Sequence, residues 1–234
     1  MTVTAHVVLQ SAFVLHSRPY RDTSLLVELL TAEHGRLTVL ARGVRSQRSR
    51  SHGLLAPFSP LLVSFSGKTD LQTLQQVEAN GLSYKLGGNM LLSGFYLNEL
   101  LIRLLQQHEP HPNVYQAYQH TLTVLTGTTQ PEPALRLFEK YLLVDLGYGL
   151  QLDRTIDNEL VLPSEKYVFE FGVGLKKDKS SNDLYNFPGK SLLALHVGTL
   201  ITPDELRDAK RLLRSVLAVL LGNKPLKSRE LFLK

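Results

Sequence analysis

The stretch HVVLQSAFVLHSRPYRDTSLLVELLTAEHGRLTVLA, residues 6–41, alternates Val, Leu, Phe and Thr with polar residues and is broken by turn signals at 17–22 (SRPYRD) and 33–35 (EHG). Period-two alternation between such breaks marks short strands with one buried face. The pattern returns at 60–65 and 73–79, on either side of a third break at 66–70 (SGKTD). Predicted strands at 6–16, 24–31, 36–41, 60–65 and 73–79 fit a small closed barrel. The long connection 42–57, between the third and fourth strands, carries the run RGVRSQRSR.

After Asn80-Gly81 the period changes from two to about 3.6, which marks a domain boundary near residue 81. Leu91, Phe95, Leu97, Leu101, Leu104 and Leu105 make one apolar helical stripe. Val114, Tyr115, Tyr118, Leu122 and Leu125 make a second, after Pro112 at a helix start. A third helix follows Pro133, its stripe being Leu135, Phe138, Tyr141, Leu142 and Leu146, and Gly147-Tyr148-Gly149 stops it. Between 151 and 190 the helical pattern fades. Tyr167-Val-Phe-Glu-Phe171 alternates as a strand, and 176–183 reads as an exposed loop, so a β-hairpin is expected there. Thr202-Pro203-Asp204-Glu205 is a capping box with proline at the first helical position, so a last helix starts there and ends at Gly222. Leu206, Ala209, Leu213, Val216, Leu217 and Leu220 are its inward face.

Composition narrows the function classes. The 234 residues are 43% hydrophobic and 20% charged, ordinary globular values. No run of 18 apolar residues is present, and the N-terminal segment lacks the basic region and cleavage site of an export signal. A cytoplasmic protein is expected. With no Cys at all, disulfides, thiolate zinc sites, iron–sulfur clusters and cysteine nucleophiles are excluded.

The net charge of +5 is unevenly spread. Residues 34–69 contain no Asp or Glu and carry +6 through Arg36, Arg42, Arg45, Arg48, Arg50 and Lys68. Residues 207–234 also carry +6, leaving −7 on the remainder. Two basic zones on an acidic background are the footprint of a polyanion-binding surface, although two solvated faces would read the same way. In the second zone Arg207, Lys210, Arg211 and Arg214 recur at helical spacing, and such like charges repel one another, which is tolerable on a solvated face and favourable against a phosphate backbone.

Enzyme motifs are missing. Gly67-Lys68-Thr69 and Gly189-Lys190-Ser191 look like the end of a phosphate-binding loop, but its leading glycine is replaced by Leu62 and Leu184. His108 and His111 have metal-like spacing without a ligand set, and Asp145, Asp153 and Asp157 are not paired for acid–base or magnesium chemistry. No cofactor is expected.

Six segments in order, FVLHSRPYRDTS (13–24), EHGRLTVLARGVRSQRS (33–49), LLAPFSPLLVSFSGKTDLQTLQQVEA (54–79), GFYLNELLIRLL (94–105), PEPALRLFEKYLLVDLGYGL (131–150) and GNKPLKSRELF (222–232), together resemble the RecO family of bacterial DNA repair proteins. The resemblance implies an α+β chain: an N-terminal five-stranded OB-fold barrel (1–80) that binds single-stranded DNA, then a mainly helical domain (81–234) with a small β-hairpin. It implies a non-enzymatic recombination mediator that binds single- and double-stranded DNA and anneals complementary strands. Its implied partners are RecR, the acidic tail of single-strand-binding protein and, indirectly, RecA recombinase. Many members carry a four-cysteine zinc site, which a chain without Cys cannot build. The region 151–190 is then expected to be a metal-free hairpin anchored by Tyr167, Phe169 and Phe171.

The candidate DNA-binding residues are Arg36, Arg42, Arg45, Arg48, Arg50 and Lys68. Candidates for DNA or partner binding are Arg207, Lys210, Arg211, Arg214, Lys224, Lys227 and Arg229. Phe13, Tyr20, Phe58 and Phe65 fit either the barrel core or stacking on bases, the core being favoured. The C-terminal segment 222–232, with Leu226, Leu231 and Phe232 among its cations, reads either as a lid on the helical core or as the rim of a cleft for an acidic peptide. The alternative function is an interaction adaptor whose basic surfaces bind acidic protein tails rather than DNA.

Overall fold

The computed structural model describes residues 5–46, 49, 51, 53–178, 186–222 and 224–231, with only the backbone of Ala5, His6, Arg229 and Leu231. Arg48, Arg50, Phe232 and most of the expected 176–183 loop lie outside the described residues, as do the Arg229 and Leu231 side chains. The described chain is α+β, a closed five-stranded barrel followed by helices and a small sheet. It separates into two compact units, Met1–Thr129 with Leu226–Lys234, and Gln130–Pro225.

The barrel strands are β1 (Ala5–Tyr20), β2 (Ser24–Thr31), β3 (Gly35–Ala41), β4 (Pro60–Gly67) and β5 (Leu71–Ala79). Their order is β1-β2-β3-β5-β4, with β3 and β5 parallel. Closure depends on the length of β1, which pairs with β4 from Ala5 to Phe13 and with β2 from Ala12 to Tyr20. The expected turn at 17–22 shrinks to three residues. Beyond Phe13 the strand no longer pairs with β4 and has an edge, where Pro19 is tolerated. Ala12, Val14, Val27, Leu29, Leu37, Val39, Leu61, Val63, Phe65 and Val77 fill the barrel, joined by Val44 and Leu55 from the connection.

Helices α1 (Gly88–Leu104) and α2 (Pro112–Gly127) belong to the same unit as the barrel. The apolar face of α2 is the predicted one, whereas that of α1 is rotated. Its buried residues are Ser93, Gly94, Tyr96, Leu97, Asn98, Leu100 and Leu101, while Phe95 is exposed and Leu91 and Leu104 are half-buried. Small residues cause the rotation: a Cβ on Gly94 would lie 2.7 Å from Phe58 Cε1, so only glycine lets the helix close there. Asn98 then reaches the barrel, its Nδ2 donating to the Leu15 carbonyl at 2.8 Å. Burial, with Tyr115 and Tyr84 nearby, pushes the Tyr118 phenol far above its ordinary range, so it stays protonated. That hydroxyl donates to Asn98 Oδ1 at 2.6 Å, satisfying a polar group inside the core.

The C-terminal segment returns to this unit as α6 (Lys227–Leu231), with Leu226 buried. Glu99 of α1 accepts hydrogen bonds from the Lys227 amide (2.9 Å), the Ser228 amide (2.8 Å) and the Ser228 hydroxyl (2.6 Å). Burial would raise the Glu99 pKa, but the Ser228 and Lys227 hydrogen bonds and the nearby Arg103 outweigh it and hold the carboxyl below its ordinary 4.5. A carboxylate whose pKa is depressed in the folded state stabilises it above the unfolded value and loses that contribution as pH falls through the folded one. The protection factors of the Lys227 and Ser228 amides, relative to their intrinsic exchange at each pH, are therefore expected to fall below about pH 4.5 in the wild type, and Glu99→Gln is expected to remove most of that acid dependence. Acid-independent protection of both amides would count against the assignment.

The second unit holds α3 (Glu132–Asp145), β6 (Lys166–Glu170), β7 (Gly174–Lys177), β8 (Asn186–Pro188), α4 (Gly189–Val197) and α5 (Pro203–Leu221). In α3 Leu135, Phe138 and Leu142 are buried as predicted, but Tyr141 is exposed and Leu146 only half-buried. Arg136 and Glu139 take interior places instead, paired at 2.6 Å one helical turn apart. Each charge makes the other's burial tolerable. The expected hairpin is a three-stranded sheet in the order β7-β6-β8. Tyr167 anchors it as expected, together with Leu175 and Phe187, whereas Phe169 and Phe171 are only half-buried. α5 begins with the predicted capping box: Thr202 Oγ1 accepts from the Glu205 amide at 3.2 Å, and Glu205 Oε2 accepts from the Thr202 amide at 2.9 Å. Its buried face includes Leu212 and Asp208, while Leu206 and Leu220 are half-buried.

Candidate nucleic-acid interface

The first basic zone is organised by an apolar residue. Val44 inserts into the barrel core, and its flanking neighbours Arg42 and Arg45 point to solvent. Two hydrogen bonds fasten this loop to the β1–β2 turn: the Arg45 amide donates to the Thr23 carbonyl at 2.9 Å, and Arg45 Nη1 to the Arg21 carbonyl at 3.2 Å. Strand register brings the same segments together, since Tyr20 pairs with Ser24 and Leu25 with Ala41. One end of the barrel thus presents exposed Arg18, Arg21, Arg42 and Arg45, with Asp22 the acid in its turn. The Arg21 guanidinium lies over the half-buried Tyr20 ring, 5.3 Å from its centroid. Tyr20 is one of the four aromatic residues singled out in the sequence, whereas Arg18 and Arg21 are not among its candidate DNA-binding residues. Two arginines flanking a proline–tyrosine turn were the available signal.

Lys68 is exposed in the β4–β5 turn, at the other end. β3 leads from Gly35 to Ala41, and its pairing of Thr38 with Leu71 sets that turn beside the beginning of β3, away from Arg42. Barrels of this strand order hold oligonucleotides across the outer face of the second and third strands, between the β1–β2 and β4–β5 turns. The middle of that face is occupied here by the protein itself. Arg36 Nη1 pairs with Glu28 at 2.8 Å and its Nε donates to the Leu105 carbonyl at 3.1 Å, leaving the side chain 14% exposed. Thr38 donates to Glu28 at 2.7 Å and accepts from Gln107 Nε2 at 3.0 Å. The His108 amide donates to the Arg36 carbonyl, and a Cβ on Gly35, at φ 66°, would lie 1.8 Å from the Glu109 carbonyl oxygen. The α1–α2 connection is thereby pinned across β3, and Arg36 is one of its fastenings.

The second zone is less uniform than its spacing suggests. Arg207 is exposed and pairs with Asp204 at 3.0 Å, and Lys210 and Arg214 are exposed. Arg211 turns inward, its guanidinium 4.3 Å above the Phe187 ring and donating to the Asn186 carbonyl. It also lies 3.5 Å from Asp208, a buried carboxylate that accepts from Ser191 Oγ at 2.8 Å. Arg211 thus ties α5 to β8. Lys224 and Lys227 are exposed, the former in the second unit and the latter in the first.

The second unit also contains a concavity of about 350 Å³, with Tyr148, Arg154, Ile156, Phe171 and Val173 in its wall. Among the described residues no three His, Asp or Glu side chains gather as a metal site would need, and no helix is long and apolar enough to cross a membrane.

Two family descriptions match in tandem, Recombination protein O N terminal over residues 5–82 and Recombination protein O C terminal over residues 87–230. A protein named DNA repair protein RecO from Coxiella burnetii (strain CbuG_Q212) is 47% identical over 230 residues, 98% of this chain and 99% of that one. Proteins of the same name from Aliivibrio salmonicida and Nitrosococcus oceani are 43% and 46% identical, covering 96% of this chain and 95% and 92% of theirs. With both halves of its length matched and its relatives aligned nearly end to end, the chain belongs to the recombination protein O (RecO) family.

Proposed function

We propose that this protein is a non-enzymatic mediator of DNA repair and recombination that holds single-stranded DNA on the arginine-rich end of its barrel and promotes annealing of complementary strands. The observation that carries the reading is the docking of the 42–46 loop on the β1–β2 turn, which gathers Arg18, Arg21, Arg42 and Arg45 at one end. Arg48 and Arg50 follow in the sequence and extend the basic run. Guanidinium groups contact phosphates through paired donors and stack on bases, so a strand can be held without reading its sequence. Neutralising phosphate charge lets two strands approach and pair without ATP.

Lys68 extends the contact toward the β4–β5 turn, while Arg36 acts from within the fold. Lys210 and Arg214, with Arg207, Lys224, Lys227 and Arg229, serve a second strand or an acidic partner segment. Membership of the family supports action with RecR and the acidic tail of single-strand-binding protein in loading RecA, at the nucleoid in the cytoplasm. Mixing two complementary labelled oligonucleotides at low salt tests the reading. The protein is expected to accelerate duplex formation, and a variant with Arg18, Arg21, Arg42 and Arg45 all changed to Ala is expected to lose most of that acceleration at unchanged melting temperature. Full acceleration by that variant would move the DNA site elsewhere.

A further inference from the structure

A single strand held at the arginine-rich end needs a surface for its bases as well as cations for its phosphates, and the barrel offers few aromatic rings for that purpose. Of the four aromatic residues singled out in the sequence, Phe13, Phe58 and Phe65 are 0%, 5% and 4% exposed and belong to the core. The outward residues of β2 and β3 are Leu26, Glu28, Arg36, Thr38 and Leu40, none of them aromatic, and three of these are engaged by one another and by the α1–α2 connection. Tyr20 differs from both groups. It ends β1 at the arginine-rich turn, is partly exposed, and has the Arg21 guanidinium 5.3 Å from its ring centroid.

We infer that Tyr20, with Arg21, is the stacking platform for a base of bound single-stranded DNA. This rests on the proposed reading of the arginine-rich end as the DNA-binding surface. The cation fixes the ring by attraction to its π-face, and the phenol ring and guanidinium plane together offer flat surfaces to a base beside side chains that reach the flanking phosphates. Stacking on such a ring tolerates any base, because every base has a π-face. It displaces no counterions from phosphate, so its contribution is nearly independent of salt, unlike that of the arginines.

The chain provides its own reporter, because its 234 residues contain no Trp and Tyr20→Trp introduces a single indole. Oligo(dT) is expected to quench that indole fluorescence at saturation. Tyr20→Ala is expected to weaken oligo(dT) binding about 5- to 150-fold with the slope of log K against log salt unchanged, while Tyr20→Phe restores binding. Unchanged affinity of Tyr20→Ala, a changed salt slope, or an indole that DNA leaves unquenched would overturn the platform. If instead the Arg18, Arg21, Arg42 and Arg45 quadruple alanine variant also binds as the wild type does, the reading of the whole end fails. Should Tyr20→Ala not fold, the quench and the Phe variant still decide.

Discussion

Phe13→Ala is expected to cost the first unit about 3–5 kcal/mol, the range for removing a fully buried phenylalanine. Phe13 alternates with Ala12 and Val14, which fill the barrel, so its ring leaves the opposite face of β1. There it meets Tyr115 at 5.4 Å, Tyr118 edge-on at 5.2 Å and Tyr84 at 6.3 Å between centroids. Alanine would remove one ring from a close-packed group whose other members are held by the barrel and by α2, leaving a cavity that cannot readily collapse. Phe13→Leu keeps most of the volume and should cost less than about half as much. Urea unfolding followed by near-ultraviolet circular dichroism checks both. The midpoint should fall with an unchanged m-value, and a loss below about 1 kcal/mol would show that the ring is not the joint between the barrel and its helices.

The quadruple change of Arg18, Arg21, Arg42 and Arg45 to Ala should have the largest effect on binding. If each arginine neutralises one phosphate, the slope of log K against log salt on single strands becomes shallower by about 2.8, at roughly 0.7 per contact. At 0.1 M salt that corresponds to an affinity loss of about 10²- to 10³-fold, shrinking as salt rises. Fluorescence anisotropy with oligo(dT) across a salt series measures it. Lys68→Ala should change the slope by no more than about 0.7, and Arg36→Ala should act mainly on stability, because the guanidinium is already engaged by Glu28 and the Leu105 carbonyl. A quadruple variant with the wild-type slope would show that these side chains do not meet phosphate.

The elements that could be read in advance are those in which one local signal dominates. Strand alternation between turn residues located all five barrel strands, and the capping box of Thr202 and Glu205 located the start of α5. The face of α1 was misread because hydrophobicity ranks Phe95 and Leu104 above Ser93, Gly94 and Asn98. Close approach to Phe58 demands a small residue, and the Leu15 carbonyl and Tyr118 hydroxyl demand a polar one. The same applies to α3, where Arg136 and Glu139 compensate each other's charge and displace Tyr141 to the surface. In the candidate site, Arg42 and Arg45 were visible as an acid-free basic run. Their company with Arg18 and Arg21 was not, because the two segments are separated by two strands in the chain.

By itself, then, the sequence determined the period of each segment, the caps of its last helix, the absence of thiol chemistry and the two basic stretches, all properties of neighbouring residues. Tertiary structure decided which charges face solvent. Arg36 and Arg211 carry the same charge as Arg42 and Arg214, yet Glu28 and the Leu105 carbonyl engage the first, and Asp208, Phe187 and the Asn186 carbonyl engage the second. A guanidinium already paired within the fold has less to gain from a phosphate, whereas one lifted to the surface by a buried Val44 keeps its field for a ligand.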